Sequence, residues 1–331
     1  MRLEGLVGSI LRQTASDIFI NPSQVDHLLA IIQQSGQAKV YINELPLCLS
    51  IRAKQSISAG TAVTIDNIAD IQSLTLGVND IPPDAAVVFL FSIGWRKGLY
   101  YDLGPLSATE QSCRTYDLGC LLGQLWAHVL FQERFALLDG EWDTLFDKQW
   151  FPFITLRKET LHKMFDLIRS NWDIDEIIPD VVKEVKAVSD SMLDGWRRHE
   201  AFVPHMPVLE LIIKHFHDGD YVSCVHLAFT RIEGIMRTYR QCRGFSKGER
   251  LEVSIIRGDR DRITPLLPQR FEHYLKEVYF KNFNPDEPTP ELSRHSVAHG
   301  CIDASLCSAK ASVIGILIIN QLFYFGGNSE K

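Results

Sequence analysis

The segment Ser312–Phe325, SVIGILIINQLFYF, constrains the fold of this chain more than any other. After Ala311 it is apolar on nearly every side, so a helix made from it has no face to offer water and must be surrounded. It falls short of the roughly 18 uninterrupted apolar residues that span a bilayer, and Asn320 and Gln321 interrupt it. The expectation is a central buried helix, and the rest of the C-terminal third has to supply its cover.

That cover is visible as periodicity. Val208–His217 reads as a short helix ended at Asp218-Gly219-Asp220. Val222, Val225, Phe229, Ile232, Met236 and Tyr239 recur every three or four residues and define a long amphipathic helix. Gly244 to Arg262 is polar and predicts a loop, and Leu267, Phe271, Tyr274 and Val278 mark the next helix. NFNPDEPTP (Asn282 to Pro290) is turn-rich, and Thr289 followed by Pro290 predicts the start of a last helix that runs to Phe325. Helices of these lengths and connections predict a bundle over 205–327.

Upstream the signals are mixed. Ser23 to Gln34 has helical spacing, with Gly36 as a C-terminal cap. Ala38–Ile42, Pro46–Ile51, Thr61–Ile65 and Ala85–Ile93 read as strands, and Phe91 to Leu106 as a strand, a turn at Lys97-Gly98 and a returning strand. Ser107 to Glu110 has the form of a capping box. Helices follow at Leu118 to Val129, Arg157 to Ser170 and Val181 to Arg198. The expected fold class is mostly α. It comprises an N-terminal mixed α/β lobe over 1–110, a helical middle region over 111–200 and a C-terminal bundle of four to five helices over 205–327.

An apolar fraction of 46% and a charged fraction of 23% are those of a soluble globular protein. MRLEGLVGSILRQTASD has no apolar block followed by a small-residue cleavage site, so a cytoplasmic protein without membrane partners is expected. The seven cysteines include no Cys-x-x-Cys pair and read as reduced thiols, most of them buried, with no metal site. The net charge of −7 argues against a coat for long duplex DNA. The average hides a division, because Arg231 to Arg270 carries ten basic and five acidic residues, a net +5. A local patch of that kind can hold a short polyanion, and Arg237, Arg240 and Arg243 are its candidate contacts. The competing reading is a solvated face paired with its own acids, Glu233, Glu249, Glu252, Asp259 and Asp261.

The chemistry-bearing constellation is Leu292-Ser-Arg294-His295-Ser-Val-Ala-His299-Gly300. Histidine moves protons near neutral pH, and arginine offers a planar, permanently charged fork matched to phosphate oxygens. Together they suit phosphodiester cleavage by an RNA 2′-hydroxyl, and such a mechanism requires no cofactor. Residues five apart on an ideal helix point about 140° away from each other. Arg294 and His299 therefore converge only if the first turn is distorted or if two copies share a cleft. His295 and His299 share a face.

Arg294-x4-His299, with a polar residue after the arginine and then Gly300 and a long apolar helix, resembles the signature of the HEPN superfamily. In that superfamily Arg and His are separated by four to six residues. FTRIEGIMRTYR (Phe229 to Arg240) resembles the family's second helix, and Glu233 matches its acidic position. The resemblance covers about 205–327 and does not extend to the first two hundred residues. It implies a HEPN-like bundle that dimerises with the motifs face to face, with Arg294 and His299 catalytic, His295 supporting and Glu233 beside them. The implied activity is a metal-independent endoribonuclease, as in toxins and antiphage effectors, with RNA or a nucleotide as ligand and an antitoxin or regulatory protein as partner. In the alternative reading Arg294 pairs with Asp286, Glu287 or Glu291 and His299 is a core histidine. The domain is then a non-catalytic nucleotide-, RNA- or protein-binding module.

Other polar clusters carry less. His215, His217, Asp218 and Asp220 read as surface residues at a helix end, and His295 with His299 lacks a third zinc ligand nearby. Asp173, Asp175 and Glu176 read as a helix start. Five of the six tryptophans fall between Trp95 and Trp172, which predicts a packed middle region.

Overall fold

A computed structural model describes residues 24–78, 80–107, 113–244, 250–282 and 291–325. They are mostly α-helical, with a small antiparallel sheet region. Two compact units divide them. One takes the described residues up to Arg52 together with Ile71–Gln132, and the other takes Ala53–Asp70 with those from Glu133 onward.

The first unit holds β1 (His27–Ile32), β2 (Ala38–Ile42), most of β3 (Leu47–Ala53) and β4 (Ile68–Leu76), β5 (Ala86–Ile93) and β6 (Arg96–Asp102). Four strands form an antiparallel sheet in the order β2-β1-β5-β6, and β3 pairs with β4 in a ribbon. The helix expected over Ser23 to Gln34 is corrected: its centre is β1. Leu29 and Ile31 pack with Val87, Phe89 and Phe91 on one side, and Leu28 and Ala30 with Val88 and Leu90 on the other. A strand covered on both faces loses its alternation and reads as a continuous apolar run.

The strand expected over Thr61 to Ile65 is likewise absent. Thr64 N–H donates to Asn67 Oδ1 at 2.8 Å, a local turn that competes with ladder pairing. The β5–β6 turn falls at Gly94-Trp95, not Lys97-Gly98, for Ile93 pairs with Arg96 and Gly98 pairs with Phe91. A Cβ on Gly98 would lie 2.3 Å from the Phe91 ring, so that glycine makes room for an aromatic side chain across the ladder. The capping box expected at Ser107 to Glu110 lies outside the described residues apart from Ser107.

α1 (Leu118–Leu130) belongs with the sheet: Trp126 stacks on Phe91 at 4.4 Å, and Gly123 rides against the Ser73 backbone with no space for a Cβ. The second unit contains α2 (Asp139–Asp147), α3 (Lys158–Arg169), α4 (Ile178–Arg197), α5 (Met206–Asp218), α6 (Tyr221–Cys242), α7 (Leu251–Ile256), α8 (Pro268–Tyr274), α9 (Arg294–Ala298) and α10 (Ala309–Phe325). The stretch expected to be a loop after Gly244 therefore includes a helix, α7. A π-turn over Leu275–Tyr279 continues α8.

α10 is the buried centre that its sequence demands, packed against α4, α5, α6 and α7. At Gly315 a Cβ would come within 2.9 Å of Ala228 on α6, so the two helices meet at small residues. The two amide side chains within the apolar run are each paired at oxygen and at nitrogen. Asn320 accepts from Trp196 Nε1 at 3.1 Å and donates to Thr155 Oγ1 at 2.9 Å. Gln321 accepts from Ile154 N and donates to the Leu266 carbonyl. No described helix is long and apolar enough to cross a membrane. Two further expectations are corrected. Of the described cysteines only Cys224 and Cys307 are buried, and Trp95 and Trp172 are exposed, at a hairpin turn and beyond the end of α3.

Candidate functional site

α9 is set by its own sequence. Ser293 is the N-cap, its hydroxyl accepting from Ser296 N at 3.2 Å, while Ser296 Oγ accepts from Ser293 N at 3.0 Å. Five residues later the helix stops. Gly300 takes φ of +68°, and Gly300 N and Cys301 N bond back to the Val297 and Ser296 carbonyls at 3.1 and 3.0 Å, closing a Schellman cap. This corrects the single helix expected to reach Phe325. A left-handed glycine separates α9 from α10, and Arg294 and His299 stand at opposite ends of a helix of little more than one turn. Thr289 and Pro290 lie outside the described residues.

α9 packs on α6, and the contact is electrostatic as well as apolar. Arg294 Nε lies 2.5 Å from Glu233 Oε2, and Arg237 Nη2 2.5 Å from Glu233 Oε1. The Glu233 side chain is only 12% exposed, while that of Arg237 is 62% exposed. Burial opposes ionisation of Glu233, but the two guanidiniums outweigh it and hold the carboxyl below its ordinary range.

Position 233 is fixed from below by Tyr279. Its hydroxyl donates to the Phe229 carbonyl at 2.7 Å and accepts from Glu233 N at 3.1 Å, bridging one i,i+4 pair of α6. Sequence reasoning missed Tyr279, because LKEVYF carries no mark beyond helical spacing.

His295 is half-buried, and Arg294 Nη1 donates to its Nδ1 at 3.3 Å. Desolvation first, then the charges of Arg294 and His299, lower its pKa, with Glu233 working the other way. His299 caps α9 and is exposed. The structure thus brings Glu233, Arg237, Arg294, His295 and His299 to one rim. Arg294 does not pair with Glu291, whose partner is Lys281. Asp286 and Glu287 lie outside the described residues.

The remaining basic candidates divide. Arg243 commits Nη1 and Nη2 to the Ile255 and Phe325 carbonyls at 3.0 and 2.7 Å, so its fork fastens α6 to the ends of α7 and α10. Arg240 is half-buried, and its Nε has no hydrogen-bond partner. Farther along, Arg250 and Arg260 face Glu272, Arg262 bridges Asp70 and Asp259, and Arg270 meets Asp139. Much of the basic run is thereby neutralised by acids from other elements.

Among the weaker candidates, His215 pairs with Asp220 at 3.0 Å, and His217 meets Ser189 at 2.9 Å. Asp175 binds Trp150 Nε1 and Lys310 Nζ, each at 2.8 Å. No group of three or more His, Cys, Asp or Glu side chains converges as a metal site among the described residues.

No protein-family model matches the chain, and comparison with curated proteins and with solved structures likewise finds no match.

Proposed function

We propose that the α6–α9 rim is a HEPN-type, metal-independent ribonuclease site that acts in a homodimer. In this reading the His299 imidazole transfers the proton of an RNA 2′-hydroxyl. The Arg294 guanidinium neutralises the non-bridging oxygens as the hydroxyl oxygen attacks phosphorus and the 5′-oxygen leaves. The products are a cyclic phosphate and a 5′-hydroxyl. Glu233 and His295 position Arg294 through its Nε and Nη1, and Arg237 is the exposed contact for the RNA backbone. One observation carries the reading: Glu233 and Arg294, far apart in sequence, meet at 2.5 Å beside an exposed histidine. The toxin or antiphage setting, and an antitoxin or regulatory partner, belong to the same proposal.

Purified wild-type, Arg294→Ala and His299→Ala proteins, incubated with RNA in EDTA and overexpressed in cells, test it. Loss of roughly a hundredfold or more in cleavage rate is expected from either substitution. Wild type and His299→Ala that are equally inert on RNA and equally harmless on overexpression rule cleavage out. A second reading, a non-catalytic RNA- or nucleotide-binding module, draws on the engagement of Arg294 by Glu233. It predicts wild-type binding without cleavage.

A further inference from the structure

Away from that rim, the second unit holds a cavity of about 300 Å³, lined among others by Lys54, Asp66, Arg157, Glu184, Asn320 and Tyr324. It lies at the lower end of the roughly 300–1,000 Å³ range of small-molecule sites. Its chemistry converges on one amine. Lys54 leaves the end of β3 with its backbone fixed, N–H donating to the Asn67 carbonyl at 2.7 Å and its own carbonyl accepting from Tyr324 Oη at 3.1 Å. Its Nζ meets the Leu156 carbonyl at 3.3 Å.

The charged groups acting on that amine are two cations, Arg134 and Arg157, and two carboxylates, Asp66 and Glu184. Desolvation first, then the fully buried Arg134 guanidinium, bring the ammonium down to about 7 against the carboxylates' pull. A desolvated lysine next to a fixed cation is the usual means of obtaining a nucleophilic amine at neutral pH. Both carboxylates are held in place. Asp66 Oδ1 accepts from Lys158 N at 2.8 Å, and Glu184 accepts from Arg157 N at 3.0 Å and from Thr160 Oγ1. Arg157 lines the cavity and is exposed.

We propose that this cavity binds a small carbonyl compound bearing a carboxylate, a 2-oxo acid, as an imine on Lys54. The amine lone pair forms a bond to the carbonyl carbon, the C=O π pair moves to oxygen, and one proton passes from nitrogen to that oxygen to give a carbinolamine. The C–O bond then breaks, water leaves with a second proton, and the nitrogen loses its own hydrogen to form C=N. Amine and carbonyl become imine and water, with no change of oxidation state. Asp66 and Glu184 are the carboxyls at hand to relay these protons, and Arg157 holds the substrate carboxylate.

Reductive trapping of the full chain with cyanoborohydride at pH 7.5, followed by peptide mapping, tests this with two probes. Formaldehyde should label Lys54 at least roughly tenfold faster than the exposed lysines, which remain almost wholly protonated at that pH, with a rate that falls off below pH 7. Pyruvate should give one saturable adduct, on Lys54, absent from Lys54→Arg. Arg157→Ala should raise the half-saturating pyruvate concentration by about fivefold or more, the loss of one charge-assisted contact, while slowing formaldehyde labelling by less than about twofold, because Arg157 is the weakest of the charges acting on the amine. Labelling of Lys54 no faster than of exposed lysines, or a Lys54 that takes formaldehyde but not pyruvate, overturns the proposal. The readout needs no ribonuclease activity, so it stands or falls apart from the reading of the α6–α9 rim.

Discussion

Glu233→Gln is the most informative single change at the rim. The native carboxylate meets the Arg294 guanidinium at 2.5 Å with both partners largely shielded, at 27% and 12% side-chain exposure. Its second partner, Arg237, is mostly in water. A charge-assisted hydrogen bond in a shielded position is worth about 1.5–3 kcal/mol, while an exposed i,i+4 pair contributes about 0.3–0.5 kcal/mol. Glutamine keeps one neutral acceptor worth about 1 kcal/mol. The expected net loss is therefore about 1–2.5 kcal/mol, or a fall of roughly 2–10 °C in the transition of a unit of this size.

Because the Glu233 pKa is lowered in the folded state, its contribution is complete above the ordinary carboxyl range and is lost as pH falls through the folded value. The variant should match wild type once acid has protonated the carboxyl. Thermal unfolding with two double-mutant cycles measures the partition: Glu233 with Arg294 should couple by about 1 kcal/mol or more, and Glu233 with Arg237 by about 0.5 kcal/mol or less. Equal coupling in the two cycles would refute the view that α9 is held to α6 by one shielded ion pair.

Two predictions concern other buried charges. Arg134, 4% exposed, directs its fork at the Pro152, Phe153 and Pro265 carbonyls, and Phe153 alone keeps a second donor, Leu156 N, so Arg134→Met strands two acceptors and should destabilise by about 2–4 kcal/mol. Urea unfolding checks this, and a change within about 0.5 kcal/mol of wild type, the usual range for surface substitutions, refutes it. His205 lies between Arg231 Nη1 at 3.3 Å and Thr238 Oγ1 at 2.9 Å, and desolvation, then Arg231, lower its pKa. A histidine kept neutral in the fold stabilises fully above its ordinary pKa, and that contribution declines as pH drops below about 6.5. Wild type should lose more stability than His205→Gln between pH 7.5 and 5.5, and parallel pH profiles count against this.

Legibility followed the range of the forces involved. α3, α4, α5 and α6 could be placed from spacing because each keeps one polar face, and their buried residues recur at three or four. β1 could not, since burial on both sides erases the alternation that distinguishes a strand. Arg294, His295, His299 and Glu233 were named by a local motif and by one acidic residue on an amphipathic helix, and they do share a rim. Arg243 looked the same as Arg237 in sequence, but one serves carbonyls and the other faces water. Lys54 carried no signal, for nothing near it in the chain announces Arg134 or Glu184.

The apolar circumference after Ala311 sufficed to require that the final helix be enclosed, because no arrangement lets such a surface face water at tolerable free energy. Capping residues and helical spacing likewise act between near neighbours, and their consequences can be read in order along the chain. The ionisation of Glu233 and Lys54 depends on which charges arrive beside them and how much water is excluded there. Those quantities are functions of distance in space, so only the folded chain decides them.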